Sequence, residues 1–197
     1  MTRIDIINFL IKENNYKSYI EIGVEFGTCI NAIQIQKKYG VDSDPKTEVS
    51  HKMTSDDFFK DNKEKFDTIF IDGLHIDEQV QKDIENSLNA LNEGGTIVMH
   101  DCKPLSEEAQ IFPRIQIAWN GDVWKAWLKT MIKHDDISMY VVDTDCGVGV
   151  IQKTEKGKGI HIDNFNNGNF IYDKQMVENA LNLISIDEFI KKYSKNN

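Results

Sequence analysis

Two pairs of an aspartate and a histidine are the groups in this sequence best suited to move a proton. Asp72 is followed three residues later by His75, and His100 directly precedes Asp101. Each pair follows a short apolar stretch that predicts a buried strand. Because histidine titrates near neutral pH, His75 is the first candidate for a general base and His100 the second. Asp101 completes the predicted catalytic set.

A glycine turn after the first predicted strand indicates which kind of ligand the chain binds. The turn reads Glu-Ile-Gly-Val-Glu-Phe-Gly over residues 21–27, whereas a dinucleotide-binding turn reads G-x-G-x-x-G. Its acidic residues would repel a pyrophosphate, but not the sulfonium and amino groups of S-adenosylmethionine (SAM). We therefore expect a SAM site, for which this turn supplies Glu21, Gly23, Val24, Glu25 and Gly27.

Three further polar residues are candidates for contacts with the rest of that cofactor. Asp42 ends the second predicted strand, about twenty residues after the turn, where a carboxylate can accept both ribose hydroxyls. Ser55 and Asp56 are predicted, from their order in the chain, to face the adenine. The alternatives are that Asp42 is a turn residue before Pro45 and that Ser55 and Asp56 only cap a short helix.

Strand and helix patterns alternate along the chain, which predicts an α/β fold: a doubly wound, mostly parallel sheet with helices on both faces. A helix is expected in the first fifteen residues, and the last two strands are expected to form a hairpin at one sheet edge. The predicted strands span 19–23, 40–42, 66–72, 96–99, 137–142 and 148–152, of which the last two form the hairpin. The other predicted core helices span 28–39, 76–91 (ended by Gly94-Gly95) and 122–133.

The domain prediction follows from the same pattern. Residues 1–153 are expected to form one domain with a lid-like insertion at about 103–122. Residues 154–197 are expected to form a loop and two helices, broken near Ser185, that pack on the same domain. The loop and tail, including Asn164–Asn169, are candidates for closing the site or for building a homodimer.

Composition narrows the function classes. The 197 residues carry a formal net charge of -9, which disfavours a nucleic-acid partner because phosphate contacts need clustered Lys and Arg. The 3 cysteines are widely spaced, which argues against disulfides and a structural zinc site. The sequence shows neither a signal peptide nor a membrane span, so we expect a cytoplasmic protein with a small-molecule partner and no membrane partner.

Four stretches together resemble a known family. They are residues 21–27, 40–45, 70–75 and 94–101, within a region of about 19–152. In this order they are similar to the class I SAM-dependent methyltransferases, and within them to the O-methyltransferase branch that includes sugar and macrolide-sugar enzymes and, more distantly, catechol O-methyltransferase. The resemblance implies a Rossmann-like sheet with an antiparallel last strand, and methyl transfer to a hydroxyl of a small molecule or a sugar or glycan.

The resemblance also implies roles at two strand ends. Asp72 is expected among the cofactor-binding residues, and in metal-dependent members Asp72 and Asp101 would hold Mg²⁺. This sequence departs from that pattern at Cys102, where the third ligand is usually Asn or Asp, and at Leu74, which is often acidic. A thiol is a poor ligand for a hard cation.

The insertion offers candidates for the acceptor site. Arg114, Trp119 and Asn120 have the side-chain types that line sugar sites, while Trp124 and Trp127 are expected to pack in the core. Asp122 is expected to cap the following helix. Two other functions remain open from the sequence: a catalytically degenerate binding module of the same fold, and an NAD-dependent oxidoreductase.

Overall fold

The computed structural model describes residues 1–156 and 170–194 of the chain. Within them, the strands are β1 Ser18–Ile22, β2 Lys37–Val41, β3 Phe66–Ile71, β4 Leu91–Met99, β5 Ile137–Val142, β6 Val148–Lys153 and β7 Leu183–Ile184. The α-helices are α1 Arg3–Asn14, α2 Thr28–Ala32, α3 Ser55–Asp61, α4 Asp77–Ala90, α5 Val123–Lys133, α6 Lys174–Ala180 and α7 Ile186–Tyr193. A 3₁₀ turn spans Glu108–Gln110.

All of these strands join one sheet in the order β2-β1-β3-β4-β6-β5-β7. The pairs from β2 to β4 are parallel, and β6 runs antiparallel to both β4 and β5. This arrangement confirms the predicted doubly wound, mostly parallel sheet. The predicted antiparallel last strand is β6, the last strand of the core. In such a sheet the carboxyl ends of the parallel strands meet at one edge, where ligands bind.

Helices cover both faces of the sheet, and the strand side chains alternate between the two layers. Ile69 and Ile71 of β3 pack with α4 and α5, whereas Phe70 packs on the opposite side with α1 and α7. Since neither face is left to solvent, β1 is buried along its whole length.

The C-terminal tail contributes to both layers. Ser185 and Glu188 form the predicted capping box at the start of α7. The predicted β5–β6 hairpin forms, with antiparallel pairing of its two strands. Its predicted place at the sheet edge is wrong, because the unpredicted strand β7 pairs with β5 and β6 lies inside the sheet. The predicted loop around Asn164–Asn169 lies outside the described residues.

The predicted helix over 28–39 is wrong beyond Ala32, and tertiary contacts explain its early end. The Asn8 side chain of α1 donates to the Ala32 carbonyl at 3.1 Å and accepts from the Gln34 N–H at 2.7 Å. The Lys38 ammonium donates to the Ile30 carbonyl at 2.7 Å. These contacts satisfy groups at the end of the helix, and the chain enters β2 at Lys37 rather than at Gly40.

The fourth strand also begins earlier than predicted. Helix α4 ends at Ala90 and β4 starts at Leu91, so Gly94 and Gly95 lie within the strand rather than ending the helix. The pairing of β3 with β4 shifts register between Phe66 and Thr68 to admit this segment.

Each helix of the described residues is too short or too polar to cross a lipid bilayer.

We predict that Phe189→Ala lowers the free energy of unfolding by about 3–5 kcal/mol, because Phe189 is fully buried where α7 meets α1. Denaturant unfolding followed by circular dichroism measures the change. The matched control is Phe112→Ala, since Phe112 is 57% exposed, and its effect should stay below about 1 kcal/mol. Equal unfolding midpoints for the two variants would contradict the docking of α7 into the core.

Candidate active site

A cavity of about 710 Å³ opens at the carboxyl ends of β1, β2 and β3. Eight of the nine predicted cofactor residues line it, namely Glu21, Gly23, Val24, Glu25, Asp42, Ser55, Asp56 and Asp72. The ninth, Gly27, does not line the cavity; it is the N-cap of α2, with φ of 76°. His75 lines the same cavity, whereas His100 and Asp101 lie behind it, in contact with His75 or Asp72.

The glycine turn touches the end of the neighbouring strand through the backbone. A Cβ at Gly23 would lie 2.3 Å from the Asp72 carbonyl oxygen, and Gly23 has φ of +88°. Next to this contact the Asp72 N–H donates to the Ile22 carbonyl at 2.8 Å. Only glycine therefore fits at this position.

Asp42 holds the glycine turn in place. Its Oδ2 accepts the N–H groups of Val24 at 2.9 Å and Glu25 at 2.8 Å, and its Oδ1 accepts the N–H of Asp44 at 2.8 Å. Contact of this carboxylate with a ribose stays a prediction, and its role in fixing the glycine turn was not predicted from the sequence.

Glu21 is a buried carboxyl group at the floor of the cavity, with 1% of its surface exposed. The Tyr19 hydroxyl donates to its Oε2 at 2.5 Å. Burial raises the pKa of Glu21 to about 7, although the hydrogen bond from Tyr19 opposes the shift. A cationic ligand in the cavity would favour the ionised form.

The far wall of the cavity is a polar cluster between α3 and α4. The Gln79 amide donates to Ser55 Oγ at 3.2 Å, to Asp56 Oδ1 at 2.9 Å and to Asp83 Oδ1 at 3.2 Å. The cap of α3 is Thr54, so Ser55 and Asp56 are not the cap but first-turn residues.

Asp83 is one of the site residues that sequence reasoning missed, because an acid in the first half of a helix is usually a macrodipole contact. Asp83 is buried and lines the cavity, and burial raises its pKa to about 6. Its position beside the apolar stripe of Val80 and Ile84 was the available signal.

At the other end of the cavity, the two predicted Asp–His pairs form one cluster. His75 Nε2 lies 3.2 Å from Asp72 Oδ1, and His75 Nδ1 lies 3.3 Å from Asp101 Oδ2. His100 Nδ1 lies 3.3 Å from each of the same two oxygens. Asp101 has φ of +58°, which L-residues adopt rarely and mostly where function or tight packing requires it.

Three residues outside the predicted catalytic set hold this cluster. The Asn120 amide, which is 2% exposed, donates to Asp101 Oδ1 at 2.6 Å. Asp145 Oδ1 lies 3.5 Å from His100 Nε2, and Arg3 Nη1 lies 3.1 Å from Asp145 Oδ2. Arg3 and Asp145 carried no sequence signal, because α1 and the β5–β6 turn reach the site only through the tertiary fold.

These contacts shift the pKa values of Asp72, His100 and His75. Burial by itself would raise the pKa of Asp72, yet hydrogen bonds from His100 and His75 hold it well below its usual range. Burial opposes protonation of His100, but hydrogen bonds to Asp101, Asp145 and Asp72 raise its pKa to about 12. For His75, burial lowers the pKa, and the hydrogen bond to Asp72 and the charge of Asp101 more than reverse this and raise it.

Comparison with known proteins identifies the architecture. The first solved structure compared, an O-methyltransferase from Bacillus cereus in complex with S-adenosylhomocysteine (SAH), is 14% identical, with 77% of this chain and 80% of that chain covered and a TM-score of 0.58. The fold is that of the class I methyltransferases. TomG, an O-methyltransferase from Streptomyces achromogenes in complex with SAM, is 13% identical (78% and 80% covered, TM-score 0.58).

Two further comparisons bear on this methyltransferase fold. A putative caffeoyl-CoA O-methyltransferase from Staphylococcus aureus is 17% identical, with 76% of this chain and 82% of that chain covered and a TM-score of 0.57. Residues 47–102 match a protein family described as a methyltransferase domain, and no curated protein matches the sequence. The resemblance predicted from the sequence is thus confirmed at the level of the fold.

The donor set at the cluster fits Mg²⁺ poorly. Asp72, His75 and Asp101 each present one ligand atom within 4.8 Å of the others, so one donor of the three is an imidazole. Cys102 is fully buried and lies against Gly149, where an added Cβ would come within 2.7 Å of its sulfur. Among the described residues, this donor set offers two carboxylate oxygens and one imidazole nitrogen, and Cys102 supplies no third oxygen ligand. Mg²⁺ prefers all-oxygen coordination.

The insertion supplies only part of the predicted acceptor wall. Trp119 lines the cavity and stacks on His75, with ring centroids 5.7 Å apart and an interplanar angle of 23°. Asn120 is turned inward to Asp101, and Trp124 and Trp127 are fully buried, as expected for the last two. Asp122 stands at the N-cap of α5 but accepts the Asp77 N–H at 2.7 Å, so it caps α4 instead.

We predict that Gly121→Ala displaces His75, since a Cβ at Gly121 would lie 1.9 Å from the His75 carbonyl oxygen. The free energy of unfolding should fall by more than about 2 kcal/mol, and binding of ligands next to His75 should weaken. The matched control is Gly94→Ala, because Gly94 also has positive φ but an added Cβ meets nothing within 4 Å.

In Gly94→Ala the free energy of unfolding should fall only by the cost of a left-handed backbone at a residue with a Cβ, about 1 kcal/mol. Denaturant unfolding of both variants is the measurement. Equal losses would show that the contact between Gly121 and His75 is not tight.

Proposed function

We propose that this protein is a SAM-dependent methyltransferase that transfers a methyl group to a hydroxyl of a small molecule or a sugar. One observation carries the proposal: a single cavity has a glycine turn with acidic side chains at one end and the His75–Asp72 pair at the other. The first end suits a cationic methyl donor, and the second suits removal of a hydroxyl proton.

The charges of the turn support SAM over a dinucleotide. Glu21 and Glu25 line the cavity, and Asp42 already occupies the N–H groups of Val24 and Glu25. A pyrophosphate needs free backbone N–H groups at such a turn, and here it would meet carboxylates instead. The polar cluster of Ser55, Asp56 and Gln79 is suited to hydrogen bonding with the adenine.

SAM supplies an electrophilic methyl group, so the protein needs to orient the acceptor and receive its proton. In its neutral form His75 takes the proton from the acceptor hydroxyl. The carboxylates of Asp72 and Asp101, 3.2 and 3.3 Å from the His75 nitrogens, stabilise the imidazolium that forms.

His100 and Asp101, the other two predicted catalytic residues, are proposed to position His75 rather than to exchange protons with the acceptor. A pKa of about 12 keeps His100 protonated, so it serves as the cation between Asp72 and Asp101. Asn120 and His100 fix Asp101, which in turn faces His75. No step of this reaction is derived through Mg²⁺, because the donor set fits that ion poorly.

We expect isothermal titration calorimetry to give a dissociation constant for SAM on the order of micromolar, and no measurable binding of NAD. The reason is the negative charge of the turn, which favours the sulfonium and disfavours a pyrophosphate. Addition of Mg²⁺ should leave SAM affinity unchanged, and chelator-treated protein serves as the control. Binding of NAD alone would support an oxidoreductase, and binding of neither ligand would support a scaffold module; both results contradict the proposal.

We further predict that His75→Gln lowers kcat by about 10²–10⁴-fold, the usual contribution of a general base, without changing SAM affinity. The assay is SAH release with an acceptor found in a panel of hydroxyl compounds. In the unmodified protein kcat should rise with pH through a pKa above that of free imidazole, because the neutral base exists only above its raised pKa.

That pH dependence should be absent in His75→Gln. His134→Gln is the matched control, since His134 pairs with Glu85 away from the cavity. Retention of full activity and of the pH profile by His75→Gln would exclude His75 as the base.

A further inference from the structure

Arg114 differs from the other charged residues of the cavity because it is a cation without an ion pair among the described residues. Acidic side chains dominate the lining, namely Glu21, Glu25, Asp42, Asp44, Asp56, Asp72 and Asp83. Of the lining cations, Arg3 pairs with Asp145 and Lys46 pairs with Asp44. Arg114 forms no ion pair with any carboxylate of residues 1–156 and 170–194. It is therefore a cation that a ligand can bind without displacing a protein carboxylate.

The guanidinium of Arg114 is held in one orientation by its own loop. Its Nε donates to the Gln116 carbonyl at 2.8 Å, and its Nη2 donates to the Ile117 carbonyl. The group also lies over the Trp119 ring, 5.9 Å from the centroid. A preoriented guanidinium loses little conformational entropy when it binds an anion.

Trp119 connects this cation with the proposed base. The indole contacts Arg114 and also stacks on His75, 5.7 Å between centroids. Leu74 adds apolar surface beside His75 and is 54% exposed. An acceptor with its hydroxyl at His75 would thus extend along an apolar wall toward Arg114.

The same wall argues against a neutral sugar. Asn120, which the sequence offered as a sugar contact, is buried and does not line the cavity. A neutral acceptor would leave the charge of Arg114 without a counter-ion, whereas a carboxylate would form an ion pair with it. Elsewhere in the cavity the acidic lining would repel that carboxylate, which fixes the direction in which the acceptor enters.

We propose that the methyl acceptor is a hydroxylated carboxylic acid with a flat, mostly apolar body, and that Arg114 binds its carboxylate while the hydroxyl lies at His75. This inference rests on the proposed function, whose site it uses. The cationic cofactor and the anionic acceptor would then occupy opposite ends of one cavity, each facing charges of the opposite sign.

The test compares two probes of the same shape that differ in charge, 3,4-dihydroxybenzoate and the neutral 3,4-dihydroxybenzamide. Each is titrated calorimetrically into the protein saturated with SAH. We expect the acid to bind about tenfold more tightly, the strength of one charged hydrogen-bonded pair. In Arg114→Gln the two affinities should become equal, and Arg114→Lys should keep part of the preference.

Lys46→Gln is the matched control, because it removes one positive charge from the same cavity where Asp44 already neutralises it. This variant should keep the preference for the acid. Equal affinity of the two probes, binding of neither, or a preference that survives Arg114→Gln would overturn the inference. Failure of SAH itself to bind would instead overturn the proposed function, and the SAH titration that precedes each experiment separates the two cases.

Discussion

The backbone contact between the ends of β1 and β3 is the constraint on which the rest of the site depends. Gly23 lies so close to the Asp72 carbonyl that a Cβ would come within 2.3 Å of it. One side of this contact leads into the turn with Glu21 and Glu25, and the other leads into Asp72 and His75. Because the contact has no room for a side chain, the proposed cofactor end and the proposed reacting end lie next to each other in one cavity.

Charge compensation within the Asp72–His75–His100–Asp101 cluster is the second requirement. The carboxylates of Asp72 and Asp101 lie within 4.8 Å of each other and would repel each other in a buried site. The imidazoles of His75 and His100 lie between them and relieve that repulsion. Distant parts of the chain, namely Arg3 of α1 and Asp145 of the β5–β6 turn, complete the charge balance. Helix α1 is therefore tied to this cluster as well as to the core.

Much of the fold could be predicted from local patterns. β-branched and aromatic runs such as residues 66–71 indicate buried strands, and the stripe of α4 indicates a helix that packs on a sheet. The errors lie where distant residues decide the outcome. Asn8 and Lys38 end α2 early, and the two-residue strand β7 exists only because β5 offers an edge.

The residues of the candidate site fall into the same two groups, those indicated by local patterns and those decided by distant parts of the chain. Glu21, Gly23, Asp72 and His75 could be found because each stands at a strand end or in a turn with a recognisable spacing. Arg3, Asp145 and the inward orientation of Asn120 could not, since they reach the cluster only through the folded chain. Asp83 lies between these cases, because it belongs to a recognisable helix but its burial depends on α3.

A crystal structure of the protein with SAH would test most directly whether this cavity holds the methyl donor. We expect electron density for SAH along the glycine turn, with its adenine beside Ser55 and Asp56 and its sulfur directed toward His75. Density for SAH at another surface, or an adenine at the His75 end of the cavity, would contradict the central claim that this cavity holds the methyl donor in front of the proposed base.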